Sequence, residues 1–165
     1  LPDGSEEIAP AFENTAAETM GIVDGEKAHA KVLIGAFHGA ASQVTQFSET
    51  LYVDVTLPAG GEIDIPADTE ERAIYVIDGS ISVAGDAFTG DQLLVFRPGD
   101  EIVVRSEAGA SFMIFGGASI GSPRHIWWNF VSSSKERIEQ AKQEWKSGRF
   151  NIVPGDEEEF IPLPS

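Results

Sequence analysis

His29, His38 and His125 are the three imidazoles of this chain, and there is no cysteine. Without thiols, disulfides, thiolate zinc sites, iron–sulfur clusters and cysteine nucleophiles are excluded. The three histidines are the candidate metal ligands, in company with carboxylates. No two of them stand at i, i+2, so no strand places a ready pair on one face. Their simpler reading is structural or exposed histidine. His125 and Asn129, four residues apart, make a weak ligand pair, and Arg124 with His125 reads more simply as the cap of a packed aromatic segment. Glu62/Asp64 and Asp100/Glu101 have the types needed for acid–base work. In so acidic a chain, such pairs read first as solvated surface.

Two apolar sets complete the candidates. Tyr52, Tyr75 and Phe112 are expected to line a barrel lumen. Trp127, Trp128 and Phe130 are expected at an interface or a ligand wall, or, more simply, packing a helix. The glycines form no phosphate loop, because no Lys-Ser or Lys-Thr follows a glycine frame. EF-hand spacing, a Gly-x-Ser-x-Gly elbow and a zincin motif are absent too.

The residues that carry these groups number 165, with 11 basic and 27 acidic side chains and a formal charge of −16. That length fits one domain with its own core. The charge argues against nucleic acid and anionic membrane as partners. No apolar run reaches 18 residues, so no spanning helix is expected. The first residues lack the pattern of a signal peptide, and a cytoplasmic location is the expectation.

Period-two alternation marks the elements. Thr50 to Leu57 and Glu62 to Ile65 alternate as half-buried strands. Ala73 to Ile77 and Ser80 to Ala84, separated by Asp78-Gly79, predict a hairpin with a type I′ turn. Glu70-Glu71-Arg72 reads as a solvated loop. Further strands are predicted over Ala30 to Phe37, Gln92 to Phe96, Glu101 to Arg105 and Ser111 to Phe115. Residues 133–147 predict the one helix, with Ser133 and Glu136 as a capping box, a stripe of Ile138, Ala141 and Trp145, and a Lys135–Glu139 pair. The expected layout is an irregular linker arm over 1–27, a β-barrel over 28–131, a helical segment over 132–150 and an acidic tail over 151–165. In the tail, Phe160, Ile161 and Leu163 are expected to dock in extended form.

Pro58-Ala59-Gly60-Gly61, Tyr75-Val76-Ile77-Asp78-Gly79, Gly90-Asp91 and Pro98-Gly99-Asp100 resemble the landmarks of a cupin barrel. The flanks are more specific. The runs from Gly35 to Val44, from Arg124 to Val131 and from Ser147 to Phe150 resemble the entry to and exit from the second barrel of the pirin family, which are bicupins. Leu1 to Phe12 is similar to the segment joining the two pirin barrels. The fold implied is all-β: a single cupin-type antiparallel barrel or jelly roll with one C-terminal helix.

Cupin metal sites use a His-x-His pair, a Glu a few residues on, and a later His. On this chain the His-x-His positions fall near Pro66 and Asp68, or one residue earlier, the Glu position on Arg72, and the later His between Glu101 and Val103. The resemblance therefore implies no metal and no catalytic residue in this barrel. Iron or another divalent metal is implied in a first barrel. The function expected is a non-catalytic accessory barrel that packs on or covers that metal-bearing barrel, with a second barrel in cis or a homodimer mate as partner. The alternatives are a stand-alone cupin with a small molecule in its lumen, and a quercetin-type dioxygenase with unusual ligands.

Overall fold

In Thr50–Leu57 the side chains of Leu51, Val53, Val55 and Leu57 are buried, while those between them face outward. A strand can do this because successive side chains leave opposite faces. The computed structural model describes residues 1–164, and this rule organises most of it. The first strands are β1 (Gly21–Asp24), β2 (His29–Ile34), β3 (Ala36–Phe37), β4 (Ala40–Ala41), β5 (Thr50–Leu57), β6 (Gly61–Ile65) and β7 (Glu71–Val83). They continue with β8 (Asp86–Thr89), β9 (Leu93–Phe96), β10 (Ile102–Ser106), β11 (Ala110–Gly117), β12 (His125–Trp127) and β13 (Phe130–Ser132). One helix, α1 (Lys135–Lys146), follows. The fold is all-β with a single helix near the C-terminus, as the cupin resemblance implies.

The main sheet runs β1-β2-β5-β11-β7-β10-β6 with antiparallel pairing. Strands β8 and β9 also pair with β7. Strand β7 is the hinge of this arrangement. Its first part pairs with β11 and β9; its last residues, Ser80–Val83, pair with β8, and Ser82 and Val83 also with β10. The expected Asp78-Gly79 hairpin turn is therefore corrected: the strand continues through it and changes partners. Gly79 has φ 80°, and a Cβ there would stand 2.4 Å from the Gly109 carbonyl oxygen. The register with β11 slips at Ile77, between Ser111 and Phe112, two residues before Gly79, so a bulge adjoins Gly79 at this corner. The real turn is Ala84-Gly85, with φ 52° and 93°, the two positive angles a tight hairpin needs.

The core is enclosed by the inward residues of these strands. Val32, Val53, Val55, Ile74, Val76, Val104, Phe112 and Ile114 are completely buried. Gly21–Asp24, expected within the irregular arm, pairs along its length with β2 as strand β1. Only short 3-10 turns, Asp3–Ser5 and Ala17–Thr19, precede it.

The chain divides into two compact units. One is the barrel, Ile8–Ser119. The other joins Pro2–Glu7 to the residues from Ile120 onward. In the second, β12 and β13 form a small hairpin. The N-cap of α1 is Ser134, whose hydroxyl accepts from Arg137 N at 3.2 Å. This corrects the Ser133 capping box: Ser133 instead donates its backbone N–H and hydroxyl to Glu6. Lys142, not Lys135, pairs with Glu139. Among the described residues no helix is long and apolar enough to cross a membrane.

Candidate functional site

Arg72, Ile74 and Val76 share the inward face of β7, and Arg72 is only 1% exposed. The solvated loop expected at Glu70-Glu71-Arg72 is thus corrected: Glu71, exposed, already opens β7, and Arg72 turns inward. Alternation set by Ile74 and Val76 carries Arg72 inward with them. Its Nη1 donates to the carbonyl oxygens of Ile65 at 3.2 Å and Pro66 at 3.0 Å, and Nη2 donates to that of Arg97 at 3.4 Å. Its Nε is buried without a partner, and among the described residues no carboxylate pairs with Arg72. A buried guanidinium held by carbonyl dipoles alone is unusual, because buried charges are ordinarily paired.

Pro66 and Arg72 are two of the positions on which cupin metal ligands were expected to fall. They meet in space, but what meets is a guanidinium and carbonyl groups. A fixed positive charge there opposes a cation through Coulomb repulsion that water does little to screen inside a protein. This donor set does not fit a divalent metal. Among the described residues no group of three or more His, Cys, Asp or Glu is placed to hold one.

The histidines are dispersed. His29 Nδ1 stands 3.1 Å from Asp24 Oδ1 at the exposed end of the β1–β2 pair. His38 and Gly39, with φ 45° and 81°, form the tight turn joining β3 to β4. His38 Nε2 donates to the Asp64 carbonyl oxygen at 2.8 Å, and its ring lies edge-on to Phe37. His125 belongs to the other unit, in β12.

Of the expected lumen residues, Phe112 does point inward and is fully buried among aliphatic side chains. Tyr52 and Tyr75 do not. They lie on the opposite parity from Val53 and Val76, on the outer face, and are 39% and 37% exposed. Tyr75 donates its hydroxyl to Asp91 at 3.1 Å, and that hydrogen bond, with the carboxylate charge, raises its pKa. The outer face carries an apolar row across four strands and a second across three, which meets Asp54 on β5. Tyr52, Phe115, Ala73 and Val95 are successive partners along one row, and Met113, Tyr75 and Leu93 along the next. Leu93 is 57% exposed and Val95 76%. Isolated exposed apolar residues are ordinary; contiguous rows mark contact surfaces. A cleft of about 620 Å³ opens elsewhere on the barrel, lined by Gly35, Ser42, Gln46, Glu49, Asp68 and Thr69 among others.

Each carboxylate pair has a member with a structural partner. Glu62 binds Lys27 and also accepts from Arg105 Nε at 3.1 Å; the Lys27 hydrogen bond and charge hold its carboxyl below the usual range. Asp100 Oδ2 accepts from Arg97 N at 3.3 Å.

Trp127, Trp128 and Phe130 belong to an aromatic cluster of the C-terminal unit, each half-buried. Trp128 meets Trp145 of α1 edge-on at 5.3 Å, and Phe130 stacks on Phe150 at 5.6 Å. Lys142 Nζ lies 4.3 Å from the Trp127 ring centre. Trp128 sits at φ 51° in the β12–β13 turn, a conformation a bulky residue keeps only when packing enforces it. The same unit holds a clasp that local sequence did not signal. Arg124 binds Asp3 at 2.7 Å and Glu6 at 3.1 Å, and Arg137 binds Glu7 at 2.8 Å. Burial works against ionised Glu6, but donors from Ser133 and Ser132 and the Arg124 charge outweigh it and lower its pKa.

Residues 52–151 match the pirin C-terminal cupin domain. A pirin-like protein of Caulobacter vibrioides is 39% identical over 99% of this chain and 57% of its own length. One from Solanum lycopersicum is 26% identical over 86% of this chain and 51% of its own. The crystal structure of a quercetin 2,3-dioxygenase from Acinetobacter baumannii superposes with a TM-score of 0.87 at 25% identity, over all of this chain and 56% of that one. The chain spans somewhat more than half the length of these relatives. It belongs to the pirin family and represents the region of that family's C-terminal cupin domain.

Proposed function

We propose that this barrel is a non-catalytic accessory cupin, packing on or covering a second cupin barrel that carries the metal. The observation that carries the reading is Arg72. A guanidinium tied to the Ile65, Pro66 and Arg97 carbonyls occupies the position at which the cupin resemblance expects a carboxylate ligand. The barrel around it is filled by Phe112, Ile74 and Ile114 rather than hollow. Two further points support it. Relatives run to nearly twice the length this chain covers. The outer sheet face also presents contiguous apolar rows through Tyr52, Phe115, Tyr75, Leu93 and Val95, a surface suited to a further barrel. On this reading, dioxygenase chemistry of the kind named for the Acinetobacter relative belongs to two-barrel proteins as wholes.

The test is metal content. The chain is expressed in iron-supplemented medium, purified without an affinity metal, and analysed for iron, nickel and manganese. The expected result is far less than one metal per chain, with no gain in thermal stability on adding these ions. A ligand that binds only the folded state must raise that stability. Stoichiometric metal overturns the reading, and His29, His38 and His125 then become the first residues to replace.

A further inference from the structure

Beyond the helix, the chain folds back along it. Phe160 stacks on Trp145 with ring centres 5.8 Å apart, and Phe150 meets the same indole edge-on at 5.3 Å. The indole N–H donates to the Ile161 carbonyl oxygen at 2.8 Å. A short bridge between Val153 and Asp156 closes the intervening loop. These contacts frame a cavity of about 510 Å³, a volume typical of small-molecule pockets.

The lining has two characters. Trp145, Phe150, Ile152, Val153, Phe160 and Ile161 make it apolar and aromatic; Asp156, Glu157 and Glu159 make it negative. No Lys, Arg or His lines it. The contrast with the rest of this unit is sharp. Asp3, Glu6, Glu7, Glu139 and Glu144 each pair with an arginine or lysine. Asp156, Glu157 and Glu159 form no ion pair among the described residues. The four consecutive carboxylates Asp156 to Glu159, three of them at the pocket, repel one another, and the faces of aromatic rings are negative as well. A cation relieves the first and is attracted by the second. An apolar body attached to that cation removes the exposed walls from water, since Ile152, Val153, Phe160 and Ile161 are each 60% exposed or more.

We propose that this pocket binds an organic cation with an apolar body, an aryl- or alkylammonium, seated on the aromatic wall with its charge at Asp156, Glu157 and Glu159. The site is independent of Arg72 and of the barrel. An anion of the same shape is repelled, and a neutral isostere keeps only the apolar share of the binding.

The test titrates benzylammonium, benzyl alcohol and benzoate into the full chain. Binding is followed by tryptophan fluorescence and by the NMR signal of the Trp145 indole N–H. Benzylammonium is expected to saturate in the millimolar range, about tenfold or more below benzyl alcohol, with benzoate silent. Added salt narrows the gap. The D156N/E157Q/E159Q variant brings benzylammonium to the level of the alcohol and leaves the alcohol unchanged. These three side chains are exposed, so the variant is expected to keep its near-ultraviolet circular dichroism, which verifies folding. Equal binding of amine and alcohol, survival of the preference in the variant, or failure of benzylammonium to saturate each overturns the proposal.

Discussion

In the barrel, the buried side chains are Ala, Val, Ile, Leu, Phe37 and Phe112, and, with Thr69 and Ser106, the single charged group Arg72. In the unit built from Pro2–Glu7 and the residues after Ile120, the apolar side chains counted as buried are Ile138 and Ala141. That unit relies instead on half-exposed ring stacks and on arginine clasps to Asp3, Glu6 and Glu7. The difference separates two kinds of cohesion. Apolar burial is insensitive to charge state and punishes lost volume. Ion pairs and exposed stacks tolerate lost volume and answer to pH and salt. The chain also supplies its own reporters: all three tryptophans lie in the C-terminal unit, and both tyrosines lie in the barrel.

The largest effect is expected from Phe112→Ala. Phe112 is fully buried at the register slip between β11 and β7. Truncation removes its transfer energy and leaves a cavity, together about 3–5 kcal/mol. Urea unfolding followed by far-ultraviolet circular dichroism should show this as a lower midpoint. Tryptophan fluorescence should keep its wild-type midpoint. If both signals move together by the same amount, the two units unfold as one and the comparison collapses.

The next test stays within the barrel and asks how closely its backbone is fitted. Gly79→Ala forces a Cβ to 2.4 Å from the Gly109 oxygen at φ 80°. Gly85→Ala imposes a similar angle, φ 93°, with open space around it. The expected losses are about 2–4 kcal/mol for the first and about 1 kcal/mol for the second. Thermal melts of the two variants measure the gap. Equal losses show that the angle alone costs stability and that the β7 corner is not tightly packed.

Alternation made the strands legible in the sequence, because a half-buried strand writes its two faces into every second residue. The turn at Asp78-Gly79 was misread for a related reason. Asp-Gly marks a backbone able to adopt positive φ, and both a hairpin and a bulged corner need that. Only partner strands distant in sequence decide which one forms. Arg72 was misplaced because residue type outweighed parity. Arginine is seldom buried, yet Ile74 and Val76 two and four residues on already assign it to the inner face. Tyr52 and Tyr75 erred the same way: each neighbours a buried Val or Ile, so each must point outward. The Arg124 clasp had no local signal, since Asp3 and Glu6 lie more than a hundred positions away.

The smallest effect probes the clasp through pH. The Ser122 hydroxyl and the Arg124 charge lower the Asp3 pKa from its ordinary 3.8, and Glu6 is lowered from 4.5. A carboxyl whose folded pKa is depressed stabilises the fold fully above its unfolded value and loses that contribution as pH falls through the folded value. Tryptophan emission should therefore shift to the red as pH falls from the ordinary values of 3.8 and 4.5 through the lowered folded ones. The barrel has lowered carboxyls of its own, Glu13 and Glu62, but they add to a filled apolar core, so its β-sheet signal should persist to lower pH. Glu6→Gln should flatten the acid dependence of the tryptophan signal while leaving the barrel unchanged, because the amide can neither gain nor lose the charge that Arg124 answers. Loss of the sheet signal at the higher pH of the two would reverse the assignment, making the barrel the unit held by charge.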